Sequence, residues 1–357
     1  MSATMVHPRE DLARVRDAFA GGAGYLAACT VGLPPRATRD AVLADLDSSV
    51  AGRPDPASYS SAVERSRAHF ATLVGVPPTR IAIGSQTSVQ ASLLAASLPD
   101  GAEVLVPERD FSSIVLPFVH AGRGIRVRTA PLHALADAVG PATALVAFSL
   151  VQSATGEVAD DAAIVAAARA HGARTLCDAT QAVGWMPVDA SRYDALVCHA
   201  YKWLCAPRGV AFLAVSADYS ATLRPVHAGW YAGDDPWTSC YGAAVELADD
   251  ARRFDTSPAW QAFVGAEPAL ALFASLDIAS AHSHVTALAT AFREGVGLPH
   301  AVRSSAIVTW SDPDGCDLAR LTASGITASG RDGRARVAFH VFNDLDDVGR
   351  ALAALGR

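Results

Sequence analysis

One residue type is almost missing from this chain of 357 residues. Of its 29 basic side chains a single one, Lys202, is lysine, and the rest are arginine. An Ala- and Arg-rich, GC-rich coding bias produces such scarcity by itself, but it also confines any amine chemistry to one side chain. Arginine stays protonated, whereas a desolvated lysine can lose its proton and attack a carbonyl. Cysteine is sparse as well. The six residues Cys29, Cys177, Cys198, Cys205, Cys240 and Cys316 are scattered without a CxxC pair. That excludes a disulfide framework and a cysteine zinc site, and suits the reduced thiols of a cytoplasmic protein. No apolar run reaches the roughly 18 residues of a membrane span. The start, MSATMVHPREDLARVRDAF, reads as a polar helix without the apolar core of a signal peptide. Neither a membrane nor secretion is therefore expected. Basic charge is also in deficit, 29 against 36 acidic residues for a net −7, with the arginines dispersed. That argues against a nucleic-acid partner.

What is present suits a globular enzyme-sized chain. A hydrophobic fraction of 51% with 18% charged residues can bury a large core. The length predicts two domains, or one large domain with a smaller one appended. A helical arm is expected over 1–24, a large domain over 25–245 and a smaller C-terminal α/β domain over 246–357. From about residue 60 apolar strands alternate with helical stretches. Strands are read at Arg80–Ile83, Glu103–Pro107, Ile125–Thr129, Thr143–Val151, Arg174–Ala179, Asp194–His199 and Gly209–Val215. Between them lie helical stretches at Ser85–Leu98, Ser112–Ala121 and a run closed by Gly172. The pattern predicts a mainly parallel sheet covered on both faces. Beyond about 245, helices are read at Gln261–Ser280 and Ser283–Glu294.

Ligands of an open parallel sheet bind outside the carboxyl ends of its strands. Strand 80–83 runs through Gly84-Ser85-Gln86-Thr87-Ser88 straight into a helix, whose first amides would cradle a phosphate. The plainer reading makes Ser85 an N-cap. Strand 174–179 carries Asp178 at its end, a costly place for a carboxylate without a partner. Strand 194–199 ends at His199 and runs on through Ala200-Tyr201-Lys202-Trp203. Lys202 thus stands on the same rim as Asp178. Pyridoxal phosphate needs such a set: a lysine, a carboxylate for the ring nitrogen, an anion cradle and a flat group over the ring.

The stretch CDATQAVGWMPVDASRYDALVCHAYKWLCAPRGVAFL, with its D-x-x-Q and Y-K-W-L patterns, resembles the class V aminotransferase superfamily of fold-type I pyridoxal-phosphate enzymes. That group includes cysteine desulfurases, kynureninases and isopenicillin-N-epimerase-like proteins, and the likeness runs from about Tyr25 to the end. It implies a large domain with a seven-stranded type of sheet, plus a small C-terminal α/β domain. By resemblance, Lys202 would form the Schiff base, Asp178 would pair with the pyridine nitrogen and Gln181 would approach the phenolic oxygen. His199 and Tyr201 would hold the phosphate with Gln86, Thr87 and Ser88. VPERDFSSIVLPF points to Phe111 as the ring stack, VQSATGEV to Ser153 at the ring oxygen, and RARVAFHVFND to Arg336 as the clamp of a substrate carboxylate. The plain alternative for Arg336 is a surface arginine in the Arg331–Arg336 basic cluster. RRFDTSPAW resembles a loop that reaches a neighbouring subunit's cofactor, so Thr256 or Ser257 would complete the site of a homodimer.

Other features compete. GAGYLA (Gly22–Ala27) satisfies G-x-G-x-x-A but follows a helical stretch, not a strand, and so lacks the context of a dinucleotide fingerprint. His282 and His284, two apart on a helix, face different ways and make no metal pair; no metal is expected. Trp230, with Tyr231 and Trp237, either lines a substrate pocket or pins its Gly/Pro loop to the core. The expected activity is at the α-carbon of an amino acid, as a lyase (C–S or other β-elimination) or an aminotransferase. Cysteine desulfurase and amino-acid epimerase are the alternatives. A desulfurase would need a cysteine in LTASGITASGRDGRARV, which has none. A non-catalytic binding protein on the same fold is the remaining reading.

Overall fold

The computed structural model describes residues 8–357; of the expected arm, residues 1–7 lie outside them. Seven strands form the main sheet: β1 (Ile81–Gly84), β2 (Glu103–Pro107), β3 (Arg126–Ala130), β4 (Thr143–Ser149), β5 (Arg174–Asp178), β6 (Ala195–His199) and β7 (Ala211–Val215). Their spatial order is β1-β7-β6-β5-β4-β2-β3. β2, β3, β4, β5 and β6 pair in parallel, and β7 runs antiparallel to both β6 and β1. The central strands are buried along their length, which is why they read as unbroken apolar runs instead of alternating ones.

Helices α1 (Pro8–Asp17), α2 (Arg36–Val50), α3 (Pro56–Leu73), α4 (Thr87–Ser97), α5 (Ser112–Val119), α6 (Asp161–His171) and the short α7 (Ala217–Ser220) precede or cover the sheet. Their ends follow local chemistry. The Asp55 side chain accepts from Ala57 and Ser58 N–H at the start of α3, with Pro56 in the first turn. Asp160 accepts from Ala163 N–H to open α6, and Gly172 at φ +70° closes it, as the Gly-terminated pattern implies. The two helices expected over Gln261–Ser280 and Ser283–Glu294 are α8 (Trp260–Ala274) and α9 (Ile278–Gly295), bent by 89°, with the break earlier than expected. Asp277 accepts from Ala279 N–H and starts a new helix there, a cap the apolar periodicity masked.

A second, antiparallel sheet of order β8-β10-β9 is built from β8 (Ile307–Ser311), β9 (Ser329–Arg331) and β10 (Arg334–Ala338). With α9, α10 (Cys316–Ala323) and α11 (Leu345–Ala354) it encloses a separate apolar cluster around Phe292, Val337 and Phe339. Residues near the N-terminus join it: Tyr25 and Ala27 form parallel bridges with Thr327 and Ala338. No helix opens at Gly22–Ala27, since α2 begins only at Arg36, so the G-x-G-x-x-A spacing has no dinucleotide context. Among the described residues no single helix is long and apolar enough to cross a membrane.

Because β1 is antiparallel to β7, as is β6, the carboxyl ends of β1, β2, β4, β5 and β6 all reach one rim.

Candidate active site

A cavity of about 210 Å³ opens at that rim, and Asp178, Gln181 and Lys202 line it together. Each arrives on its own connection. Asp178 is the last residue of β5, where it sits opposite Ser149 of β4. Lys202 lies three residues beyond the end of β6. The Lys202 side chain is only 4% exposed, with Nζ 5.1 Å from the centroid of the Phe111 ring and 5.7 Å from that of Tyr201. Burial pulls its pKa down to about 8, against the opposing pull of the Asp178 charge. Asp178 is held above the ordinary carboxylate range by the same desolvation, moderated by hydrogen bonds from Thr180. One of these is Thr180 N–H to Asp178 Oδ1 at 2.9 Å.

The end of the cavity nearest β1 is built for an anion. Gln86 is the N-cap of α4 but its side chain makes no capping bond, so no side chain caps the first-turn amides. Ser85 is not the cap that the plainer reading made it. Gln86 and Thr87 line the cavity, facing His199, Tyr201 and Arg208. His199 is buried with Nε2 lacking any hydrogen-bond partner. Its pKa falls to about 4, through burial first and then the charges of Arg208 and Lys202. The Arg208 guanidinium lies 4.4 Å from the Tyr201 ring centroid. A buried neutral ring nitrogen under a positive potential is an orphan that an anionic ligand would satisfy.

The opposite wall joins two sides of the site through one hydroxyl. Gln181 Nε2 donates to Ser153 Oγ at 3.0 Å and to the Cys29 carbonyl at 2.9 Å. Trp203 Nε1 donates to Gln181 Oε1 at 2.7 Å, which fixes the amide's orientation. Arg336 Nη1 donates to the same Ser153 Oγ at 3.1 Å and to the Ser153 carbonyl. Its Nε reaches Ser329 Oγ at 3.1 Å and its Nη2 reaches Thr30 Oγ1 at 2.7 Å. Arg336 is 1% exposed, and every one of these acceptors is a neutral oxygen. Among the described residues no carboxylate pairs with it, and burial lowers its pKa. Arg336 is thus no surface arginine.

Residues 54–304 match the sequence pattern of the family described as aminotransferase class-V. The chain belongs to the class V aminotransferases. It is 31% identical to the isopenicillin N epimerase of Streptomyces clavuligerus over 183 residues, 46% of either chain, so the likeness spans about half the length of that relative. An uncharacterized aminotransferase of Bacillus subtilis is 25% identical over 317 residues, covering 83% of this chain and 84% of its own. The structure of the apo cysteine desulfurase from Thermococcus onnurineus matches with a TM-score of 0.84 at 19% identity, over 99% of this chain and 98% of the other. That likeness establishes the fold, fold-type I with a large seven-stranded sheet.

Membership of the class V family indicates pyridoxal phosphate as the cofactor, which a cystine C-S lyase on the same fold carries. The cavity of this chain fits that cofactor. The uncapped helix start and the orphaned His199 Nε2 would take the phosphate, with Thr87, Tyr201 and Arg208 beside them. Asp178 would take the ring nitrogen and Lys202 the reactive carbon, while Phe111, 44% exposed, would face the ring. Arg208 and Thr180 went unnoticed in the sequence. Thr180 Oγ1 accepts from His199 N–H at 3.0 Å and lies 3.4 Å from Thr87 Oγ1, so it ties three of the strand ends together. Arg208 had a readable signal: it lies three residues before the start of β7, whose first residue pairs with His199.

Five expected residues do not line this cavity. Arg336 stands behind it, against the lining residue Ser153. Ser88 lies within the first turn of α4, outside the lining. Thr256 N–H bonds to the Ile83 carbonyl at 3.3 Å. Ser257 Oγ accepts from Trp230 Nε1 at 3.2 Å. Trp230 packs against Tyr231, Trp237 and Trp260, which is the loop-pinning arrangement.

Proposed function

We propose that this enzyme acts at the α-carbon of an amino-acid substrate, as a lyase that expels a β-substituent or as an aminotransferase. The observation that carries the reading is Arg336, a buried cation held only by neutral oxygens, behind the Ser153 hydroxyl that it shares with Gln181. A substrate carboxylate would complete its pairing by a bidentate contact. Pyridoxal phosphate, when bound, supplies a conjugated ring that takes up the electron pair left by a bond broken at the α-carbon. Asp178 would keep a proton on the ring nitrogen, which its buried, acceptor-only carboxylate favours. Lys202, with a pKa near 8, is partly neutral at physiological pH and able to take a proton at Nζ and return it. Phe111 would hold the ring flat and keep water from one face.

A homodimer belongs to the same reading. Thr256 and Ser257 lie outside their own chain's cavity, as residues serving a second subunit's site would. All six cysteines are free thiols, in keeping with a reducing, cytoplasmic setting. The desulfurase alternative still lacks a cysteine in the loop before Arg336.

Incubating the purified holoenzyme with a panel of amino acids separates the outcomes. Keto-acid release without an added amino acceptor supports the lyase, and release only with an added keto acid supports the aminotransferase. A panel that leaves the cofactor spectrum unchanged and yields neither product overturns the reading.

A further inference from the structure

α5 begins in an unusual way. Its N-cap is Phe111, which makes no side-chain capping bond, although Ser, Thr, Asp or Asn is the favoured type there. An aspartate is present, but one position too early. Asp110 Oδ1 accepts from Phe111 N–H at 2.7 Å and from Ser149 Oγ at 2.6 Å, while Oδ2 accepts from Ser149 N–H at 2.8 Å. Among the described residues no basic side chain pairs with this carboxylate. The residue before it, Arg109, takes φ +57°, a left-handed conformation that costs a non-glycine residue free energy. The chain leaving β2 therefore gives up a conventional cap and accepts strain, and what it obtains is the position of one aromatic ring. Ser149, the anchor, is the residue paired with Asp178 across β4 and β5. Asp110 thus links the backbone of Phe111 to the end of β4, next to the end of β5 that carries Asp178.

We propose that Asp110 is a positioning residue that sets Phe111 against the cofactor ring by tying the start of α5 to the end of β4. The proposal rests on the reading of Phe111 as the ring's aromatic wall. A wall tied through Asp110 by two hydrogen bonds to the strand beside Asp178, and by one to its own backbone, keeps its distance to the ring plane when the cofactor enters. A wall set by apolar packing alone would slide, because α5 exposes Leu116 and Val119 to solvent.

The test is a double-mutant cycle on the holoenzyme, read by the visible circular dichroism of the bound cofactor and by its dissociation rate. Thermal unfolding of each apoprotein is the control. Phe111→Ala tests the wall itself and is expected to weaken the dichroic band and speed cofactor release about tenfold. Asp110→Asn places an amide where Ser149 N–H needs an acceptor, and is expected to speed release about fivefold in the native background and less than twofold in Phe111→Ala. Ser149→Ala, a milder cut, should move both readouts the same way if Asp110→Asn fails to fold. No change in Phe111→Ala overturns the wall and the proposal with it. An Asp110→Asn effect of equal size in both backgrounds, or none, overturns Asp110 alone and leaves the wall standing.

Discussion

Arg336 Nη2 donates to Thr30 Oγ1 at 2.7 Å, across 306 positions of sequence. The bond joins β10 to the N-terminal segment and holds the guanidinium by neutral groups, with no carboxylate among the described residues to balance its charge. A substrate carboxylate therefore meets a fork that is already oriented, and the ordering cost is met in folding instead of binding. Arg336→Lys keeps the charge but loses the planar fork. It is expected to raise KM about 100-fold while changing kcat less, a loss near 3 kcal/mol of binding. Thr30→Val should raise KM about fivefold by freeing one arm of the fork. Steady-state kinetics on whichever amino acid turns over checks both, and a KM unchanged by Arg336→Lys removes the clamp.

The strand ends were legible in the sequence because parallel strands buried on both faces are short apolar blocks with abrupt polar ends. Those ends place Asp178, His199 and Lys202 on one rim without any side-chain geometry. Arg336 was harder, since an arginine inside a basic cluster looks solvated until Ser153, Ser329 and Thr30 are seen around it. Thr180 was missed because its role is a set of hydrogen bonds between strand ends, which no spacing encodes. The break between α8 and α9 was expected after Ser280 and lies at Asp277, because apolar residues continue through it and only the cap interrupts them. Trp230 looked the same either way from the sequence, and only its contacts with Trp237 and Trp260 separate the two readings.

Gly32 is a point where backbone meets backbone under the site. Its N–H donates to the Tyr201 carbonyl at 2.8 Å, and a Cβ there would stand 2.0 Å from the Lys202 carbonyl oxygen and 2.9 Å from Cys205 Cα. Neither neighbour is a flexible side chain. Gly32→Ala must displace the turn that carries Lys202, and is expected to cost about 3 kcal/mol or more in apoprotein stability and to abolish cofactor retention. Gly229→Ala, with nothing within 4 Å of its Cβ, is the matched control and should change neither. Urea unfolding and the visible spectrum of the purified proteins decide it.

Arg67 and Asp255 form a buried ion pair, Arg67 Nη2 to Asp255 Oδ2 at 2.7 Å with both side chains at most 2% exposed. Asp255 also accepts from Ile83 N–H at 2.8 Å, so the pair fastens the loop carrying Thr256 to β1. Arg67→Met leaves a carboxylate buried without its cation, and is expected to cost about 3–5 kcal/mol. Adding Asp255→Asn should restore part of that loss, since the remaining group is then neutral. A double variant no more stable than Arg67→Met in denaturant titrations would show that packing, not charge, sets the cost.

Lys202 has a folded-state pKa of about 8 against an ordinary value of 10.5. Between those two values the unfolded chain holds a proton that the folded apoprotein has released. The unfolded state then binds more protons, so apoprotein stability contributed by this group rises with pH from about 8 to 10.5 and is flat below 8. The full span corresponds to about 3 kcal/mol. The native apoprotein should therefore gain stability relative to Lys202→Met across that window, and the gap between them should stop changing above it. The same residue gives a chemical check. Borohydride reduction of the holoenzyme should leave the pyridoxyl group on one peptide, the one containing Lys202, because the chain has no other lysine side chain to trap it. A parallel pH profile for the two apoproteins, or a cofactor band that persists in Lys202→Met, would remove Lys202 from the centre of the chemistry.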